Sequence, residues 1–172
     1  MLFNSFVFLF AFLPAALLIH WLVERFKPEW RLPVLLALSL LFYSYWDWRF
    51  APLLVGSIVV NWLLAQAFTR SGRDLLIPLA IAANLLVLGF FKYFNFFADF
   101  IDVIPGVRAP HFDIALPLGI SFFTFHHIMY LTDLRAGRAP RYDLVRYGLY
   151  IAFFPQVLAG PLVRCSEVMH QL

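Results

Sequence analysis

The feature that most limits this chain is a succession of long apolar runs broken only by short polar turns. About 20 apolar residues span the hydrocarbon core of a bilayer as a helix. The runs are Leu2–Val23, Leu32–Trp46, Phe50–Phe68, Leu75–Phe91, Ile114–Leu131 and Leu144–Val163. Composition agrees. Of 172 residues, 63% are hydrophobic and only 13% charged, against about 25% charged in soluble domains. So few charges cannot cover a water-facing surface, and lipid is the natural solvent for the excess. The chain therefore reads as one membrane domain, residues 1–172: an all-α polytopic transmembrane bundle of five to six spans.

The runs differ in detail. The first contains Pro14 and ends at His20 and Trp21, an interfacial anchor. No Lys or Arg precedes it, so it reads as an uncleaved span rather than a signal peptide. The second is short but flanked by Trp30 and Trp48, and only Asp47–Arg49 separates it from the third, which predicts a tight antiparallel hairpin. The fourth leads into the aromatic exit Lys92–Phe97, where Lys92 can snorkel to the headgroups. Asp99–Asp113 reads as a loop, and Thr132–Asp143 as a basic one. The sixth run holds Pro155, Gly160 and Pro161, which forbids a straight helix. A broken or re-entrant segment is expected there, lining protein or a cavity rather than lipid.

Cation placement predicts orientation. With the N-terminus outside, nine cations fall in cytoplasmic turns: Arg25, Lys27, Arg31, Arg70, Arg73, Arg135, Arg138, Arg141 and Arg146. Four fall outside: Arg49, Lys92, Arg108 and Arg164. This is the positive-inside asymmetry. The cations stand singly, so the net charge of +3 does not indicate nucleic acid as a partner.

Polar residues at membrane depth are functional candidates. Asn61 and Asn84 lie mid-span and suit an interhelical hydrogen bond. His126 and His127 are the sharpest feature. Adjacent helical residues point about 100° apart, so the two rings cannot share one face as a metal pair at i, i+4 does. No metal site is expected. His126 has the chemistry of a general base, and packing or cavity lining is the plainer role. The single cysteine, Cys165, excludes an internal disulfide and four-cysteine zinc patterns. No phosphate-binding loop, dinucleotide fingerprint or nucleophile elbow occurs.

Several stretches resemble landmarks of the membrane-bound O-acyltransferases. Leu116–Phe125, Leu-Pro-Leu-Gly-Ile-Ser-Phe-Phe-Thr-Phe, is one, and Phe153–Arg164 fits the family's FPQ…AGP…R pattern. Gly89–Phe97 resembles FKYxNFF, Leu41–Trp46 resembles LFYxxW, and Met1–Phe10 resembles the usual opening. The similarity points to the alginate and polysaccharide O-acetyltransferase branch in a bacterial inner membrane. It implies transfer of an acyl group, usually acetyl, from a cytoplasmic thioester donor (acetyl-CoA or an acyl carrier) to hydroxyls of an exported polymer. The receiver can also be an extracytoplasmic acetyltransferase partner. A histidine deep in a tunnel, where water exclusion limits hydrolysis of the acyl group, is the catalytic residue such a resemblance implies. That histidine belongs to a later segment in longer family members, and His126 falls where relatives often carry Gln. The resemblance thus implies an N-terminal portion of such an enzyme, inactive alone and completed by a C-terminal half in cis or trans. Ser121, Thr124, His126, Gln156 and Arg164 are the candidate tunnel-lining residues, with His126 the only candidate catalyst in the chain. The alternative is a non-enzymatic subunit of a transporter or export complex, since transporters also build sites from interrupted helices.

Overall fold

The computed structural model describes residues 5–46, 48–102, 116–157, 163–165 and 167. Among these there are helices and turns but no strand. A π-helical turn, Phe8–Phe12, runs into α1 (Leu13–Phe26). Pro14 lacks an N–H and its ring crowds the carbonyl four residues back. The wider turn just before it, closed by Leu13 N–H donating to Phe8 O, takes up that misfit.

The next helices are α2 (Arg31–Trp46), α3 (Ala51–Ser71) and α4 (Leu76–Asp102). Gly72, with φ of 63°, ends α3 by donating its N–H to Phe68 O at 2.8 Å. Then follow α5 (Ile120–Arg135), α6 (Leu144–Ala152) and the short α7 (Phe154–Val157). Among the described residues three helical stretches are long and apolar enough to cross a membrane: Phe8–Phe26, Trp48–Ser71 and Leu76–Phe94. Their outward side chains are apolar, as with Leu17, 63% exposed, and Leu86, 74% exposed. Lipid is the solvent that suits such a surface. By contrast α2 and α5 have 16 residues each, about 24 Å of rise against a core of about 30 Å.

Several boundaries move from where the sequence pattern puts them. The helix α4 runs through the aromatic exit and on to Asp102, because no Gly or Pro interrupts residues 90–102. The expected loop from Asp99 thus begins as helix, and residues 103–115 lie outside the described ones. The fifth helix starts at Ile120, six residues later than expected. Gly119, at φ of 71°, holds a left-handed conformation that stops helix from extending backwards. At its other end α5 takes in Thr132–Arg135 from the expected basic loop.

The tight α2–α3 hairpin is not what forms. Beyond the turn Trp48–Phe50, α6 packs against both helices and lodges between them. Gly148 is the contact point. A Cβ there would lie 3.3 Å from Leu36 Cδ2 on α2 and 3.6 Å from Ile58 Cγ2 on α3. Residues 147–152 are all buried, and Tyr147, Leu149 and Ala152 have no exposed surface. The core of the bundle therefore sits around α6, a helix of 9 residues, about 14 Å long and too short to cross.

The sixth run is broken and turns back. Asp143 caps the start of α6 by accepting from Arg146 N at 2.9 Å. Phe153, at φ −51° and ψ 113°, breaks the helix before α7. The chain then returns. Tyr150 Oη donates to Val163 O at 3.1 Å, and Cys165 is buried beside Tyr142, which immediately precedes α6. Both limbs of the segment thus end near the α5–α6 turn, and Phe153–Gln156 form the tip of the described part; residues 158–162 lie outside the described ones. Arg164, counted on the outer side from the sequence, lies instead with the return limb at the end of the bundle bearing the basic turns.

Candidate functional site

The two histidines occupy opposite environments on α5. His126 is 2% exposed and faces α6 and α7, with its ring 5.2 Å from that of Tyr150. Its Nδ1 lies 2.8 Å from Phe122 O. A carbonyl only accepts, so Nδ1 carries the proton and Nε2 the lone pair. That lone pair accepts from Gln156 Nε2 at 3.1 Å. His127 has no exposed surface and faces α3 and α6. Ser57 Oγ donates to Leu54 O at 2.8 Å, so it accepts from His127 Nε2–H at 3.2 Å. The remaining nitrogen, Nδ1, accepts a hydrogen bond from the Tyr147 hydroxyl. The adjacent rings therefore hold opposite tautomers.

This arrangement decides what the histidines can do chemically. A general base needs a lone pair facing its substrate. The His126 lone pair is taken by Gln156 and that of His127 by Tyr147. Both are satisfied as they stand. For His126 to accept a proton from a substrate, Gln156 must first move away.

The position of Gln156 is itself built from several helices. Phe154 N, at the start of α7, donates to Ser39 Oγ on α2 at 3.3 Å, and that hydroxyl donates to Leu35 O at 2.8 Å. The Phe154 ring packs against Phe8, Phe12 and Phe42, with centroids 5.4–6.5 Å away. An aromatic clamp and two polar contacts thus hold the tip of the re-entrant segment. At the opposite end Trp62 Nε1 and Gln66 Nε2 donate to Tyr142 O at 3.1 and 3.3 Å, fastening the entry of α6 to α3.

A second polar row crosses the bundle. Asn61 on α3 and Asn84 on α4 exchange side-chain bonds at 3.1 and 2.6 Å. Asn61 Nδ2 also donates to Ser57 O at 2.9 Å, which ties the pair to the Ser57–His127–Tyr147 chain. The interhelical bond expected of the two asparagines therefore forms. Ser57 and Tyr147 were not singled out from the sequence. The signal available was a serine next to Gly56 at mid-span, and its partner was unreadable without the fold.

The five sequence candidates do not form one cluster. His126 and Gln156 are in contact. Thr124, two residues from His126 and so on another face of α5, is 2% exposed and lines a cleft against α3 and α4. Ser121 is half-buried and Arg164 is exposed on the return limb. Cys165 is buried, and burial pushes its thiol up to about 12. An opening of about 620 Å³ lies on the apolar side of the tip between α1 and Phe153–Pro155, with His20 among its lining residues. Among the described residues no three His, Cys, Asp or Glu side chains gather as a metal site would require.

Together these features define a helical membrane protein with a re-entrant segment packed against buried histidines. Its relatives make the class more particular. Over 99% of its length the chain is 34% identical to a peptidoglycan O-acetyltransferase of Helicobacter pylori. It is 37% and 35% identical over the same share to the probable alginate O-acetylases AlgI of Pseudomonas aeruginosa and Azotobacter vinelandii. It covers 38%, 34% and 36% of those three proteins, so it spans about a third of the length of the curated relatives it matches. No family model matches the sequence, and no solved structure does.

Proposed function

We propose that this chain forms part of the membrane wall of an O-acyltransferase that moves an acetyl group from a cytoplasmic thioester donor, acetyl-CoA or an acyl carrier, to hydroxyls of an exported polysaccharide. The observation that carries this reading is the 34–37% identity to O-acetyltransferases over 99% of the chain. In this reading the chain's own residues position rather than react. The Phe8–Phe12–Phe42–Phe154 clamp and the His126–Gln156 bond hold the re-entrant tip inside the bundle. That tip shields a transfer path from water, which an acyl intermediate requires. The transferring histidine is supplied by a further segment, in cis or trans, and an extracytoplasmic acetyltransferase is the partner that takes the acetyl group onward.

The same reading places the protein in a bacterial inner membrane with its N-terminus outside. Moving Arg164 to the side of the basic turns makes the distribution ten cations against Arg49, Lys92 and Arg108, which supports that orientation under the positive-inside rule.

A chimera tests the function. This chain replaces the matching third of the Pseudomonas aeruginosa alginate O-acetylase, and alginate acetyl content is measured in cells lacking the native protein. Restored acetylation supports the reading. A chimera that inserts into the membrane and leaves alginate unacetylated contradicts it.

A further inference from the structure

A cleft of about 280 Å³ opens between α3, α4 and α5. Its volume falls just below the roughly 300–1,000 Å³ of sites that take drug-sized ligands, so it suits one slim chain. Apolar Val60, Leu64 and Val87 form its sides, and Val60 and Val87, 55% and 41% exposed, stand at the lipid-facing mouth. Its inner wall is polar. Thr124, 2% exposed, lines it, and the Thr124 hydroxyl makes no hydrogen bond among the described residues. Helical Ser and Thr commonly donate to the carbonyl four residues back. Ser39, Ser44 and Thr132 all do so here, at 2.7–2.8 Å, and Thr124 does not. No fully buried side-chain polar atom is left without a partner among the described residues, so the Thr124 oxygen keeps some accessible surface, on a residue that lines the cleft.

The asparagine pair adds acceptors. Asn61 Oδ1 and Asn84 Oδ1 each accept one hydrogen bond, from the other's amide. An amide oxygen has two lone pairs, so each keeps one, while the Nδ2 donors of both residues are engaged with Ser57 O, Ala80 O and each other. The wall therefore offers one unpaired hydroxyl, which can donate and accept, and two amide oxygens with a spare lone pair, along an otherwise apolar cleft. An alkane satisfies none of these and an ester carbonyl only the donor. A hydroxyl satisfies both kinds.

We infer that the α3–α4–α5 cleft is a binding site for an aliphatic alcohol: a single alkyl chain entering from the bilayer, with its hydroxyl hydrogen-bonded to Thr124 and the Asn61–Asn84 pair. The site is separate from the His126–Gln156 contact and does not depend on the acetyl-transfer reading. The source of the alcohol is a neutral lipid with a free hydroxyl, such as a diacylglycerol, or a small free alcohol.

The test is photolabelling of the protein in nanodiscs with octanol carrying a diazirine, alongside the same probe capped as a methyl ether. The expected result is labelling of α3, α4 or α5 peptides by the alcohol, at least about fivefold above the ether, which is the ratio one hydrogen bond supplies. Thr124→Val removes the hydroxyl with little change of shape and brings the alcohol down to the ether's level. Val87→Trp fills the mouth from the lipid side, leaves the polar wall intact, and abolishes labelling by both probes. Competition by dioctanoylglycerol assigns the site to a lipid, and competition by octanol alone assigns it to a free alcohol. Equal labelling by alcohol and ether, or Thr124→Val labelled like the parent in protein of unchanged thermal stability, overturns the inference.

Discussion

Gln156 Nε2 donates to His126 Nε2 at 3.1 Å, joining the tip of the re-entrant segment to the middle of α5. Both residues are buried, so neither can turn to water if its partner is removed. His126→Ala and Gln156→Ala should each destabilise the protein, and the double variant should cost less than the sum. The coupling expected in a double-mutant cycle is about 0.6–2 kcal/mol, the range for interhelical bonds in membranes. Unfolding in bicelles measures it, and strictly additive losses would show that the bond contributes nothing.

The Asn61–Asn84 pair makes a similar argument with a different outcome. Replacing one asparagine by leucine strands one N–H and the side-chain oxygen of the other in an apolar surrounding, since its second N–H still reaches a backbone carbonyl, whereas replacing both removes the need. Asn61→Leu alone should cost about 1–3 kcal/mol. The double variant Asn61→Leu/Asn84→Leu should recover part of that loss in the same unfolding assay.

Gly148 measures how closely α6 is wedged. Its nearest neighbours are the side-chain ends of Leu36 and Ile58, at 3.3–3.6 Å from a built Cβ. Alanine needs those ends to give by a few tenths of an ångström, so Gly148→Ala should be nearly neutral. Gly148→Val forces helices apart and should cost about 1–3 kcal/mol. Equal stability of the two variants would mean that α6 does not separate α2 from α3.

Cys165 gives a prediction in pH. Burial raises its thiol pKa to about 12 in the folded protein, against about 8.5 in an unfolded chain. A raised folded-state value favours the protonated form, so the thiolate that reacts with maleimide is scarce from pH 7 to 9. Labelling of the native protein should stay slow across that window while labelling in SDS rises with pH. Fast native labelling at pH 8 would place Cys165 outside the core.

Much of this architecture was legible in the sequence. Apolar run length located both ends of α2 and α3 and the C-terminal end of α1 to within a few residues, and Pro155 foretold the break that falls at Phe153. Other features were hidden for physical reasons. The helices α2 and α3 are apolar on all sides and carry no stripe that says which face packs, so nothing in them marked the place of α6 between them. The late start of α5 hinged on the conformation of Gly119, and the extension of α4 on the lack of a breaker after Phe90. At the candidate site the sequence singled out His126 and Gln156, but their contact joins residues 30 apart. The occupancy of both histidine lone pairs depends on Gln156 and Tyr147, and helical periodicity does not report on either.

The return of the chain after α7 fixes what His126 faces, and sidedness labelling tests it most directly. In a Cys165→Ser background, single cysteines are placed at exposed Arg49, Arg73 and Glu167 and treated with a membrane-impermeant maleimide in intact spheroplasts. Arg49→Cys should react from outside, while Arg73→Cys and Glu167→Cys should react only after the membrane is opened. Glu167→Cys reacting together with Arg49→Cys would mean that the sixth segment crosses the membrane, and would contradict the re-entrant path.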